Sequence, residues 1–94
     1  MSDQFVVVVY DISSDRRRTK LHKTLEQYGT PVQYSVFECL LSDKRLAAMC
    51  RDVAKVIKPK VDRVRYYYLC QACLKKVRVT SGPEVVSEVE AIIV

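Results

Sequence analysis

The chain has 94 residues, 49% of them apolar, with 16 Lys and Arg against 11 Asp and Glu and a net charge of +5. Charges interspersed among so many apolar residues exclude a disordered chain, and the length suits one two-layer domain whose burial is marginal, so a second copy is an expected partner. No apolar run approaches the roughly 20 residues that cross a bilayer, and the start Met1-Ser2-Asp3-Gln4 lacks the basic region of a secretory signal. The expectation is a cytoplasmic protein that does not engage a membrane.

The run Phe5-Val6-Val7-Val8-Val9-Tyr10 is apolar and β-branched without polar alternation, which predicts a strand buried on both faces in the middle of a sheet. Asp11 follows it directly. Ser13 and Ser14 then offer N-cap hydroxyls and Asp15 suits a first helical turn, so a helix is expected to run to about Tyr28 and stop at Gly29. Leu21, Thr24, Leu25 and Tyr28 share one face of it, leaving Arg16, Arg17, Lys20 and Lys23 largely on the others. Cations at a helix N-terminus oppose the macrodipole at roughly 0.3–1 kcal/mol each, a cost that a bound anion would offset.

Beyond Thr30-Pro31, two opposite alternations divide residues 32–41: Val32, Tyr34 and Val36, then Phe37, Cys39 and Leu41. The phase change implies a bulge, a kink or two short strands, and no Gly, Pro or Asn marks a tight turn between them. A second helix is expected from Ser42 to about Ile57, with Leu46, Cys50, Val53 and Ile57 as its core stripe and Pro59 closing it. Residues 62–70 alternate as a strand, with Val64, Tyr66, Tyr68 and Cys70 toward the core and Arg63, Arg65, Tyr67 and Leu69 away from it. Residues 71–75 read as a connection, Lys76 to Ser81 as a short strand, Gly82-Pro83 as its stop, and the rest as an acidic, β-branched tail. The order fits an α+β, ferredoxin-like βαββαβ two-layer sandwich over residues 1–81, with 82–94 as a tail for dimer or partner contacts.

Two basic clusters, over residues 16–23 and 51–65, make a polyanion the leading partner. Asp11 has two readings: an ordinary turn or cap aspartate, or a hard oxygen ligand for a divalent cation beside arginines that grip phosphate. Cys70-Gln-Ala-Cys73 has C-x-x-C spacing, but the other cysteines, Cys39 and Cys50, do not form a second close pair and the single histidine, His22, lies far upstream. Free thiols are the expected state, with a zinc or redox module as the outlying alternative. His22 reads as a surface histidine, and the Tyr66-Tyr67-Tyr68 run as core packing with Tyr67 outside.

Val9-Tyr10-Asp11-Ile12-Ser13, the Asp15 to Lys20 helix start and Gln33-Tyr34-Ser35-Val36-Phe37-Glu38 together resemble the CRISPR-associated protein 2 family over residues 5 to about 80. The resemblance implies a ferredoxin-like homodimer whose C-terminal strand crosses to the partner's sheet. It also implies a metal-dependent endonuclease acting on single-stranded RNA or duplex DNA, within a spacer-acquisition machinery shared with CRISPR-associated protein 1. The alternative it carries is a non-catalytic dimeric DNA scaffold that bridges the integrase subunits. By motif position Asp11 matches the metal-binding aspartate and Tyr10 its catalytic neighbour, Arg18 the helix-start arginine, and Phe37 and Ser35 the supporting segment. Lys20 falls where some members carry a second arginine. Arg16, Arg17, Arg18 and Lys20 are then the expected nucleic-acid contacts, and Pro31 stands where some members have an arginine. One carboxylate is too few to hold a catalytic ion, so a magnesium or manganese ion would be shared between the two Asp11 of a dimer.

Overall fold

The computed structural model describes residues 3–85. Its elements are β1 (Gln4–Asp11), α1 (Asp15–Glu26), β2 (Thr30–Gln33), β3 (Val36–Leu41), α2 (Asp43–Val56), β4 (Arg63–Leu69) and a one-turn α3 (Gln71–Leu74). The strands form an antiparallel sheet in the order β2-β3-β1-β4, with α1 and α2 packed together on one face. This is the expected ferredoxin-like βαββαβ sandwich.

β1 has a strand on each side, β3 and β4, which is why its sequence is apolar at every position from Phe5 to Tyr10. Pleating sends Val6, Val8 and Tyr10 to the helix side, where they join Phe37, Cys39 and Leu41 of β3, Leu21 and Leu25 of α1, and Met49 and Val53 of α2 in the buried core. Phe5, Val7, Val9 and Asp11 point to the face opposite the helices, where Phe5 is buried, Val7 and Val9 are half-buried and Asp11 is exposed. The helix starts lie where the serines place them: Ser14 and Ser42 accept hydrogen bonds from the backbone N–H of Arg17 and Arg45 respectively. On α2 the most buried residue is Met49, fully enclosed, while Leu46 and Cys50 of the expected stripe are half-buried.

The ambiguous stretch over residues 32–41 resolves into two strands joined by Tyr34 and Ser35. Ser35 takes the left-handed conformation (φ 62°) that glycine or asparagine would adopt more cheaply. The Ser35 carbonyl accepts a hydrogen bond from the Tyr10 backbone N–H at 3.0 Å, which ties the turn to the end of β1 and offsets the strain.

Two expectations fail. Lys76 to Ser81 form no strand: the chain turns through α3 and then passes beside Val32, Gln33, Val36 and Glu38 as irregular backbone without joining the ladder. Tyr68 is 54% exposed despite sitting in the core-facing phase, because β4 is an edge strand, and Cys70, expected on the same side, lies past the strand end and is exposed as the N-cap of α3. The strand expected to exchange across a dimer falls on the tail, of which residues 86–94 lie outside those described.

Candidate nucleic-acid interface

Asp11 is the last residue of β1 and is exposed on the sheet face opposite the helices. Its antiparallel partner is Arg63, and Arg65 stands two residues further along β4 opposite Val9. This places two arginines on the face that carries the carboxylate, and among the described residues no hydrogen bond or ion pair engages the Asp11 side chain. Among those residues no cluster of three or more His, Cys, Asp or Glu side chains could enclose a metal ion. Asp11 supplies oxygen donors of the kind that magnesium and manganese prefer, but one chain does not complete a coordination shell.

Tyr10 points the other way. It is buried, its ring stacks on Phe37 at a centroid distance of 6.4 Å, and its hydroxyl lies 3.4 Å from His22 Nδ1. His22 meets the same Phe37 ring edge-on at 5.0 Å, so the histidine expected at the surface is a half-exposed member of an aromatic cluster. Burial pushes the Tyr10 phenol above its ordinary pKa, against the opposing effects of Ser35 and Arg18. Tyr10, Ser35, His22 and Phe37 therefore form one assembly on the helix side. Pleating separates it from Asp11.

The arginines of α1 take distinct roles. Arg17 donates from Nε and Nη2 to the two carboxylate oxygens of Asp62, at 2.7 and 2.9 Å, and the Asp62 side chain is fully buried. The Lys58 backbone N–H donates to the same carboxylate at 2.9 Å. A buried carboxylate needs such partners, and the Arg17 hydrogen bond is the main cause that holds Asp62 below its ordinary pKa. Arg17 is thus committed to a structural bridge. Arg18 braces the β1–α1 connection, donating from Nη1 to the Ile12 carbonyl at 2.8 Å and pairing through Nη2 with Asp15. Arg16 and Lys20 are exposed.

The Arg17–Asp62 bridge joins residues 45 positions apart. It fastens the first turn of α1 to the loop that leads into β4, so the cluster over 16–23 is tied to the loop that carries Lys58 and Lys60. Asp62 had no place among the expected site residues. Its one sequence signal was an isolated carboxylate between Lys60 and Arg63, where a lone acid in a basic stretch implies a specific partner.

On the other flank of α1, a groove of about 990 Å³ lies against the β2–β3 turn, lined by residues that include Arg18, His22, Lys23, Tyr34 and Ser35. Tyr34 at the tip of the turn is fully exposed. All four cysteines are free.

A family model described as CRISPR associated protein Cas2 matches residues 4–77. The chain belongs to the Cas2 family. Among named relatives, the CRISPR-associated endoribonuclease Cas2 3 of Synechocystis sp. is 38% identical over 94% of this chain and 96% of its own length. The crystal structure of Streptococcus pyogenes Cas2 at pH 6.5 superposes with a TM-score of 0.72 at 27% identity, covering 82% of this chain and 99% of that one. A chain of a structure described as a partial Cas6-RT-Cas1–Cas2 complex superposes with a TM-score of 0.73 at 26% identity, covering 89% and 92% respectively. The Cas2 match spans β1, α1 and the β2–β3 turn, and so includes Asp11, the α1 arginines, Ser35 and Phe37. Among the described residues no helix is long and apolar enough to cross a membrane.

Proposed function

We propose that this Cas2 family member works as a homodimer in spacer acquisition, holding RNA or duplex DNA on its basic surface and cleaving phosphodiesters with a divalent ion shared by two copies of Asp11. The observation that carries the reading is the position of Asp11, exposed at the end of β1 on the sheet face opposite the helices and paired with Arg63. If two such faces meet about a two-fold axis, each brings its own Asp11 toward the other, and the resulting pair of carboxylates meets the ligand demand that one chain leaves unmet. When bound, a magnesium or manganese ion would stabilise charge on the scissile phosphate and lower the pKa of a coordinated water. Arg63 and Arg65 would steady phosphate oxygens on the same face. Tyr10, with its hydroxyl beside His22 on the other side of the sheet, orients the β1 end and acts through it.

The binding component relies on exposed Arg16 and Lys20, with Lys58 and Lys60 brought alongside by the Arg17–Asp62 bridge. Contacts of this kind position a nucleic-acid backbone without reading its sequence. The relative found in a Cas1–Cas2 complex supports CRISPR-associated protein 1 as the protein partner.

A second reading, a DNA-binding scaffold without chemistry that bridges the integrase subunits, is favoured by the single carboxylate of each chain. The experiment compares wild type with Asp11→Ala for cleavage of single-stranded RNA and duplex DNA in magnesium and in manganese, alongside binding and spacer acquisition. The nuclease reading expects cleavage to fall by at least about a hundredfold with binding intact. If wild type cleaves neither substrate across pH and metals, the scaffold reading stands in its place.

A further inference from the structure

Cys70 and Cys73 occupy the junction between β4 and the C-terminal segment, and neither the core nor the basic surface uses them. Both are exposed. Cys70 is the N-cap of α3, in extended conformation at φ −72° and ψ 166°, and its sulfur accepts a hydrogen bond from the Cys73 backbone N–H at 3.4 Å. From this juxtaposition we infer that Cys70 and Cys73 form a reversible dithiol–disulfide site, which responds to small-molecule disulfides of the glutathione class.

The two sulfurs are unequal. The Cys73 N–H, followed by the Cys73 thiol, lowers the Cys70 pKa, whereas the Cys70 sulfur raises that of Cys73. Cys70 is therefore the attacking thiolate and Cys73 the resolving thiol. The Cys70 thiolate attacks one sulfur of glutathione disulfide, forming a mixed disulfide and releasing one glutathione thiolate. Cys73 then loses its proton to solvent and attacks the Cys70 sulfur, closing the intramolecular disulfide and releasing the second glutathione. The dithiol is oxidised by two electrons and glutathione disulfide is reduced to two thiols. The other cysteines are placed differently: Cys39 is buried with its thiol pushed up to about 11 by burial, and Cys50 is half-buried on α2.

The test incubates the full chain in glutathione buffers of increasing disulfide fraction, quenches with acid and maps the products by mass spectrometry. The expected result is a loss of two hydrogens in the peptide carrying both cysteines, reversed by excess reduced glutathione. Cys73→Ser should accumulate a glutathione adduct on Cys70, and Cys70→Ser should carry several-fold less adduct on Cys73. Both positions are exposed, and circular dichroism of the variants verifies that they fold. Absence of the Cys70–Cys73 link at every ratio, equal adduct on the two single variants, or prior oxidation of Cys50 would each overturn the inference.

Discussion

Gly29 follows α1 at the point where the chain turns into β2, with its backbone N–H donating to the Leu25 carbonyl at 3.0 Å. A Cβ added there would stand 2.5 Å from the Glu38 carbonyl oxygen and 3.1 Å from Cys39 Cα, well inside the roughly 3.5–4.0 Å at which non-bonded atoms rest. Gly29 lies outside the left-handed region, so Gly29→Ala carries no backbone penalty. In open space it would stabilise by about 0.4–1 kcal/mol through the unfolded chain. The close approach reverses the sign, because the obstacle is β3 backbone held in register on both sides, and forced repacking of that kind costs about 1–3 kcal/mol. The net is a destabilisation of about 1–2 kcal/mol. At about 2.1 cal/mol/K of unfolding entropy per residue, a chain of this length loses roughly 5–10 °C in Tm. Thermal unfolding followed by circular dichroism measures it directly, and a Tm equal to or above that of wild type would refute the argument that contact with β3, and not backbone conformation, selects glycine here.

Asp62→Asn tests the bridge. Because the folded carboxyl titrates below its ordinary value of 3.8, its stabilisation is fully present above that pH and is lost as pH falls through the lower folded value. The variant should be less stable than wild type at neutral pH, and the gap should close below about pH 4 as wild type also becomes protonated; a gap of constant size would refute the linkage. Arg16→Ala with Lys20→Ala should weaken binding to unrelated duplexes alike and reduce the salt slope by about one for each phosphate that the variant no longer neutralises. Arg17→Ala should instead lower Tm, since it strands a buried carboxylate. An unchanged slope in the first variant, or an unchanged Tm in the second, would contradict this division of labour.

Much of the fold was legible in local chemistry. The unbroken β-branched run announced a central strand, Ser14 and Ser42 announced two helix starts, and Gly29 announced a helix end. What stayed open or misled were features whose outcome depends on distant neighbours. The β2–β3 turn carries no glycine, and Ser35 holds its left-handed conformation beside a hydrogen bond that reaches across to Tyr10. Tyr68 obeys the alternation of its strand yet stays wet, since alternation identifies a face and not whether that face is covered.

The candidate site divides in the same way. By itself the sequence determined that Asp11 closes the central strand, that arginines open the next helix, and that the surroundings match the Cas2 family, because strand period, capping and motif spacing are local properties. Strand alternation sends Asp11 and Tyr10 to opposite faces, but only the tertiary structure decided that His22 joins Tyr10 and Phe37 and that Arg17 belongs to Asp62. Those pairings arise from burial between residues far apart in the chain. A buried carboxylate selects its partner by geometry and desolvation, which no run of neighbouring residues records.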